Sequence, residues 1–383
     1  MLRSFLRSTP RLTVLRNQLA PGPFTHTPIR TMSLPTTMKA VVVEQTGGPE
    51  VLQFQTAYPV PTPQEGQLLV RNNISGVNFI DTYFRTGLYA SAKPEVLGRE
   101  GAGTVAAVGP NASGFQVGDR VAWLATSGYA EYTAVPAAKT VKIPDGVSDE
   151  EVMASFLSGL TVLSFVKETY PVQKGEWVLV HAAAGGAGFL MTQILKTIGA
   201  KVIGTAGGPE KCALVKGLGA DVVIDYRSEE GKDWVKKVKE ATGGRGVDVV
   251  YDSVGQDTWE GSLEAVKRKG TIIWFGNASG PVPPLPLPYD HSPCMELYQM
   301  DSHADELFVR KLSPKCVKVA RPTLFGYIET REEFEYYTNE LFSLLKSGQL
   351  KTKIHKVYPL EQIAQVHIDL EGRKTMGKPL LKP

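Results

Sequence analysis

The chain has 383 residues, enough for two domains of ordinary size. Hydrophobic residues make up 42% and charged residues 21%, the balance of a globular protein, and no apolar run is long enough to cross a membrane. Three cysteines, Cys212, Cys294 and Cys316, are too few and too scattered for a disulfide framework or a metal-binding pair, which fits a reducing compartment. The formal charge is +3, but residues 1–35 hold Arg3, Arg7, Arg11, Arg16 and Arg30 and no acid, so the remainder stands at −2. A nearly neutral body gives no broad electrostatic reason to hold nucleic acid.

Residues 1–35 read as a mitochondrial transit peptide: Arg-rich, hydroxyl-rich and acid-free, with Leu2, Phe5 and Leu6 on one helical face against Arg3 and Arg7. Met32 or Met38 can start a shorter, cytosolic product. The folded body begins near Met38. Strand patterns follow at 40–44, 67–72, 101–108, 120–122 and 130–135, punctuated by Gly and Pro as in a compact β-barrel. The sequence 117–121 is a tight turn feeding a strand.

The rhythm changes near Glu151. A helical stretch at 152–169 leads into strand patterns at 177–181, 201–205, 221–224, 247–251 and 271–275, alternating with helices such as 188–198 and 209–217. This is the α/β signature of a doubly wound parallel sheet. The tail has an amphipathic helix at 332–347, a strand at 354–358 and a last helix at 360–370. It is too small to stand alone and is expected to return to the first domain. The expected limits are 38–160 with 320–383 for the barrel domain, and 161–319 for the sheet domain.

The segment 178–188 (VLVHAAAGGAG) runs from a buried strand through a glycine turn into a helix. Gly185 and Gly186 let the backbone approach a pyrophosphate, and Gly188 lets the helix pack closely on the sheet. The first glycine of the usual fingerprint is Ala183 here. The strand before it and the helix after it make this a dinucleotide site. An NAD enzyme places an acid about 20 residues on, to hold the ribose 2′-OH. Thr205 stands there instead, and Lys211 follows closely, so the expected cofactor is NADPH.

Several stretches resemble one family: NFIDTYFRTGLY (78–89), LGREG (97–101), SGLT (158–161), the glycine turn, YDSVG (251–255), FGNASG (275–280) and RPTLFGY (321–327). Over 38–288 and 311–383 the chain resembles the quinone oxidoreductase (zeta-crystallin) branch of the medium-chain dehydrogenase/reductases. The resemblance implies a GroES-like β-barrel catalytic domain, a Rossmann domain, a cleft between them and a homodimer. Zinc enzymes of that superfamily place Cys where Asn78 stands and His where Arg99 stands. Glu100 alone cannot provide a zinc site, so a zinc-independent enzyme is expected.

The same resemblance implies roles for single residues. Asn78 and Thr161 would sit near the nicotinamide, and Tyr83 and Tyr89 would line the cleft. Gly185, Gly186 and Gly188 would hold the pyrophosphate, and Lys211 and Tyr226 the adenosine phosphate end. Phe275 and Asn277 would touch the cofactor after the last sheet strand, and Arg373 would reach it from the tail. Tyr251 and Asp252 read as packing and capping residues at a strand end. A quinone is already electrophilic. Asn78, Tyr83 and Tyr89 are therefore the catalytic candidates, with Asn78 and the Tyr83 hydroxyl stabilising charge on oxygen and Tyr83 or water as proton donor. Two other functions fit the family: reduction of the double bond of 2-alkenals or enones, and a non-enzymatic RNA-binding or crystallin-like role.

Residues 289–310 interrupt the pattern. Their His291, Cys294 and His303 have poor spacing for a metal. The favoured reading is a retained intron: Pro288-Tyr289-Asp290 can be encoded with GTATGAT, Ala304-Asp305 with GCTGAC, and Arg310 can begin with AG. Removal joins Pro288 to Lys311 and restores the family length. As translated residues they form an atypical insertion, expected as a mobile surface excursion.

Overall fold

A computed structural model describes residues 34–283 and 312–383. The transit-peptide reading falls almost wholly outside the described residues, and the insertion 289–310 entirely so.

Six strands form a wholly parallel sheet in the order Val222–Asp225, Lys201–Ala206, Trp177–Val180, Val247–Asp252, Val266–Trp274 and Lys318–Ala320. Numbered along the chain this is 3-2-1-4-5-6, the doubly wound order whose crevice opens where the first and fourth strands meet. These two strands are buried almost throughout, as strands covered on both faces must be. The sixth strand has three residues and no sequence pattern of its own.

A second body is built mainly from antiparallel strands, with Ile354–Pro359 and Lys378–Lys382 pairing in parallel. Gln67–Gly76 is its hub, pairing with Glu100–Val108 on one side and with Tyr132–Pro136 and Lys378–Lys382 on the other. Arg120–Leu124 and Thr140–Lys142 continue the sheet, and Ile354–Pro359 closes its far edge beside Lys378–Lys382. A small sheet of Gln53–Pro59, Thr37–Val43 and Glu95–Val96 packs alongside. The last strand, Lys378–Lys382, has no counterpart in the sequence reading, and it matters for the site.

The structure corrects the expected domain limits in one place. The limit at 160 falls inside one helix, Phe156–Ser164, which runs on through a wider π turn over Phe165–Thr169. The tail returns to the barrel body through its strands and through Arg331, which donates to the carbonyls of Ala137, Ala138 and Thr140. Its two strands join the barrel sheet, and the helix Arg331–Lys346 lies on Phe156–Ser164. Phe342 stacks on Phe156 at 6.2 Å and Phe334 meets the same ring edge-on at 6.1 Å. An amphipathic pattern says which face of a helix is buried, not which partner buries it.

Leu341 is fully buried over Gly159, where an added Cβ would lie 2.8 Å from Leu341 Cδ1. Leu341→Ala is expected to cost about 2–5 kcal/mol. Denaturant unfolding checks this; an unchanged midpoint would show that the helix is not part of the core.

Candidate active site

The strand Trp177–Val180 feeds a tight turn into the helix Gly186–Ile198. An added Cβ at Gly188 would stand 2.4 Å from the Ala182 carbonyl oxygen and 2.7 Å from Ala183 Cα, so no side chain fits there. The helix therefore starts hard against the strand end, with its first-turn N–H groups and positive dipole end at the crevice. That cradle fits a pyrophosphate.

Two cavities meet at this turn, and Ala182 and Gly185 line both. One, of about 260 Å³, is mostly apolar. Asn78, Tyr83, Tyr89, Thr161, Gly186, Gly188 and Phe275 all line it, so eight of the expected residues, with Gly185, come together here. The other, of about 330 Å³, is lined by Thr205, Lys211, Tyr226 and Arg373. Asn277 behaves differently from the expectation that it touches the cofactor. Its side-chain oxygen accepts from Arg321 at 2.8 Å, and its backbone N–H donates to the Tyr83 hydroxyl at 2.7 Å. The loop is used, but the amide is turned toward Arg321.

That Tyr83 bond joins the two bodies across the cleft. Tyr83 stands on the helix Phe79–Thr86 and is buried, with its ring edge-on to Tyr89 at 5.2 Å. Burial pushes its hydroxyl up to about 12, against the opposing pull of the Asn277 N–H. The phenol therefore stays protonated near neutrality and keeps its own proton available as a hydrogen-bond donor. The Thr161 hydroxyl donates to its own helix, at Leu157 O, 2.8 Å away.

Asn78 caps the same helix reciprocally with Asp81. Its amide nitrogen donates to Glu100 Oε1 at 2.8 Å, and its oxygen accepts from Lys378 Nζ. Lys378 also pairs with Glu100 at 2.6 Å, with both side chains buried. Sequence reasoning missed Lys378 altogether. The one available signal was the exposed-residue type inside an apolar tail, KPLLK, and that signal names no partner.

A buried chain of polar groups fixes the helix Phe79–Thr86 from behind. Asp81 Oδ2 accepts from Tyr129 at 2.7 Å and from the Asn78 N–H at 2.8 Å. Arg85 makes two bonds to Glu371, at 2.7 and 3.0 Å, and meets His367 Nδ1 at 3.0 Å. Glu371 ends the helix Ile363–Glu371, two residues before Arg373. Both ends of the cleft are thus tied to one network. Burial holds His367 down at about 3, with Arg85 adding to the effect.

At the far cavity the charge is positive. Lys211 donates to the Arg373 carbonyl at 2.7 Å, and burial first, then Arg227 and Arg373, depress its ammonium. Asp225, near the edge of the sheet, accepts the N–H groups of Gly208 and Arg227. His181 is buried between Thr205 and Ser262, with burial holding it below its usual value. Asp252 takes the N–H groups of Val254 and Gly255 and the hydroxyls of Thr258 and Ser262. It is a capping residue, and Tyr251 packs in the core.

A 3-2-1-4-5-6 parallel sheet joined to a mainly antiparallel barrel, with a phosphate-cradling turn in the cleft between them, defines the medium-chain class of nicotinamide-dependent dehydrogenases and reductases. The comparisons agree. The alcohol dehydrogenase GroES-like domain family matches residues 64–145, and the zinc-binding dehydrogenase family matches 186–298. The quinone oxidoreductase of Salmonella typhimurium is 43% identical over 88% of this chain and 97% of its own. The Escherichia coli quinone oxidoreductase complexed with NADPH is 40% identical, with a TM-score of 0.81, over 90% of this chain and all of that one. A mycobacterial structure complexed with NADPH gives 41% and 0.81 over 90% of this chain and all of its own. The chain belongs to the quinone oxidoreductase family of the medium-chain dehydrogenase/reductases.

The zinc of one family name does not fit these residues. Where a metal would need convergent anionic or imidazole ligands, Glu100 already holds the Lys378 ammonium and Arg99 pairs with Glu95 at 2.5 Å. Among the described residues no group of three His, Cys, Asp or Glu side chains is placed to hold a metal ion.

Burial pushes Asp81 up to about 6 from 3.8, outweighing the bonds from Tyr129 and Asn78. Between these values the folded state binds more protons than the unfolded one, so Asp81 removes stability as pH rises from about 4 to 6. Both its hydrogen bonds reach Oδ2, and Oδ1 has no partner, so an asparagine oxygen can accept both. The stability advantage of Asp81→Asn over wild type should grow across that window to on the order of 2–3 kcal/mol and stay level above it. Urea unfolding at stepped pH measures it; a difference independent of pH would remove the assignment.

Proposed function

We propose that the protein is a zinc-independent, NADPH-dependent quinone reductase. The observation that carries this reading is the pair of cavities joined at the glycine turn, one mostly apolar and lined by Tyr83 and Phe275, the other carrying the cations Lys211 and Arg373. A flat, apolar, electron-poor acceptor suits the first. A phosphorylated ribose suits the second, because burial and then Arg227 and Arg373 depress the Lys211 ammonium and an added anion relieves it, while Arg373 is itself paired with Asp257 at 2.8 Å. Asp225 Oδ1 accepts the N–H groups of Gly208 and Arg227, which ties that oxygen to the backbone of the turn.

When bound, NADPH supplies a reducing equivalent at C4 of its nicotinamide. The chain's own residues do the rest. The turn from Gly185 to Gly188 receives the pyrophosphate, and Phe275 and Thr161 flank the inner cavity. The Tyr83–Asn277 bond draws the two bodies together and limits water at the reacting end. Asn78 and Tyr83 offer donors to the acceptor oxygen.

We further infer mitochondrial targeting from the five arginines of residues 1–35, and a homodimer from the family resemblance. Import into isolated mitochondria by residues 1–35 fused to a reporter tests the first, and sedimentation equilibrium tests the second. A transcript without residues 289–310 would support the intron reading of that segment.

Purified protein should oxidise NADPH with 1,2-naphthoquinone and use NADH poorly. No oxidation of either cofactor would overturn the reading. Lys211→Ala should weaken NADPH binding by about 10- to 100-fold, the worth of one charge-assisted hydrogen bond, and leave NADH within about twofold. Fluorescence titration measures both; equal losses for the two cofactors would refute a role for Lys211 at the 2′-phosphate.

A further inference from the structure

Lys378 lines the apolar cavity that also holds Tyr83, Tyr89 and Phe275. Its ammonium sits on the last strand, where Gly377 first crosses to the glycine turn and donates its N–H to the Ala184 carbonyl at 3.0 Å. The side chain is 3% exposed, and its partner Glu100, at 0%, stands behind it. An ammonium has three N–H donors. Asn78 Oδ1 and Glu100 Oε1 take two of them. The third is left for the cavity. Arg321, the other cation lining this cavity, is exposed and already donates to the Trp274 and Gly276 carbonyls and to Asn277 Oδ1.

A reaction that gathers negative charge on an acceptor oxygen gains most from a fixed positive group in a site shielded from water. The Asn78 amide and the Tyr83 hydroxyl are neutral. Asn78 also spends its oxygen on Lys378 and one N–H on Glu100. The buried positive group here is Lys378. We propose that Lys378 is the electrophilic group of this site, donating its third N–H to the acceptor oxygen and stabilising the negative charge that develops there. Glu100 acts behind it as a positioning residue. No bond to Lys378 forms or breaks, and the ammonium keeps its proton.

This inference rests on the reductase reading, and the test separates the two. Lys378→Met alone strands Glu100 as a buried, unpaired carboxylate and is expected to lose stability. The decisive variant is therefore Lys378→Met with Glu100→Gln, which removes both charges together. It is assayed with NADPH against quinones and enones of graded electron affinity. The expected loss in kcat is about 100-fold for the weakest acceptor and under about fivefold for the most electron-poor one, because a strong electrophile needs the cation least. NADPH affinity, by fluorescence titration, should stay within about twofold of wild type. A loss of the same factor for every acceptor, or one confined to NADPH affinity, overturns the proposal. A double variant that does not fold, by circular dichroism, assigns the pair to stability alone and also overturns it. A wild-type chain that oxidises no NADPH overturns the reductase reading and this inference together.

Discussion

The Glu100 carboxylate is the point on which the cleft depends. One oxygen accepts from the Leu157 N–H in the first turn of the helix Phe156–Ser164; the other holds Lys378 and the Asn78 amide. Four segments far apart in the chain are thereby fixed within one hydrogen-bond shell. Room for the carboxylate exists because residue 76 is glycine: a Cβ there would lie 2.1 Å from Glu100 Oε1. A buried ion pair of this kind adds little over a well-packed apolar pair, but losing one partner costs about 3–5 kcal/mol. It serves less as a source of stability than as a fixed reference for geometry.

From that reference the rest of the site is positioned in two directions. Toward the reacting end, Asn78 starts the helix that carries Tyr83, and Tyr83 reaches across to Asn277 in the parallel-sheet body. Toward the phosphate end, the backbone next to Lys378 crosses to the glycine turn at Ala184. The network of Asp81, Tyr129, His367, Arg85 and Glu371 braces both from behind. It joins the helix Phe79–Thr86 to the helix that leads to Arg373. A displacement of the tail therefore reaches cofactor contacts and acceptor contacts together.

The two cavities differ in the charges that line them. Around Tyr83 and Phe275 the lining is mostly apolar and the donors Asn78, Tyr83 and Lys378 are buried, so each acts in a lower dielectric than water. Around Lys211 and Arg373 the cations are partly exposed, and their attraction for a phosphate is weakened by water and salt. Tight positioning belongs to the first end and recognition of the cofactor to the second.

Much of this was legible in the chain itself wherever the signal is local. The apolar strand, glycine turn and helix at 178–188 are contiguous, so their physics is written in one stretch. The missing acid at Thr205 and the cation at Lys211 lie a fixed distance further on. The motifs around Asn78, Tyr83 and Phe275 point to the cleft only through the family resemblance. What the sequence could not determine is everything made by pairing across distance. Lys378 meets Asn78 300 positions away. The strand that carries it is short, contains a proline and is buried on successive residues, so it shows no alternation to read. The orientation of Asn277 depended on Arg321, and the seat of the helix Arg331–Lys346 on a facing glycine. Sequence alone determined the class of cofactor-binding unit and the residue types around it. Only the tertiary structure decided which charges neutralise one another and which face the cavity, because burial and partners exist only once the chain has closed on itself.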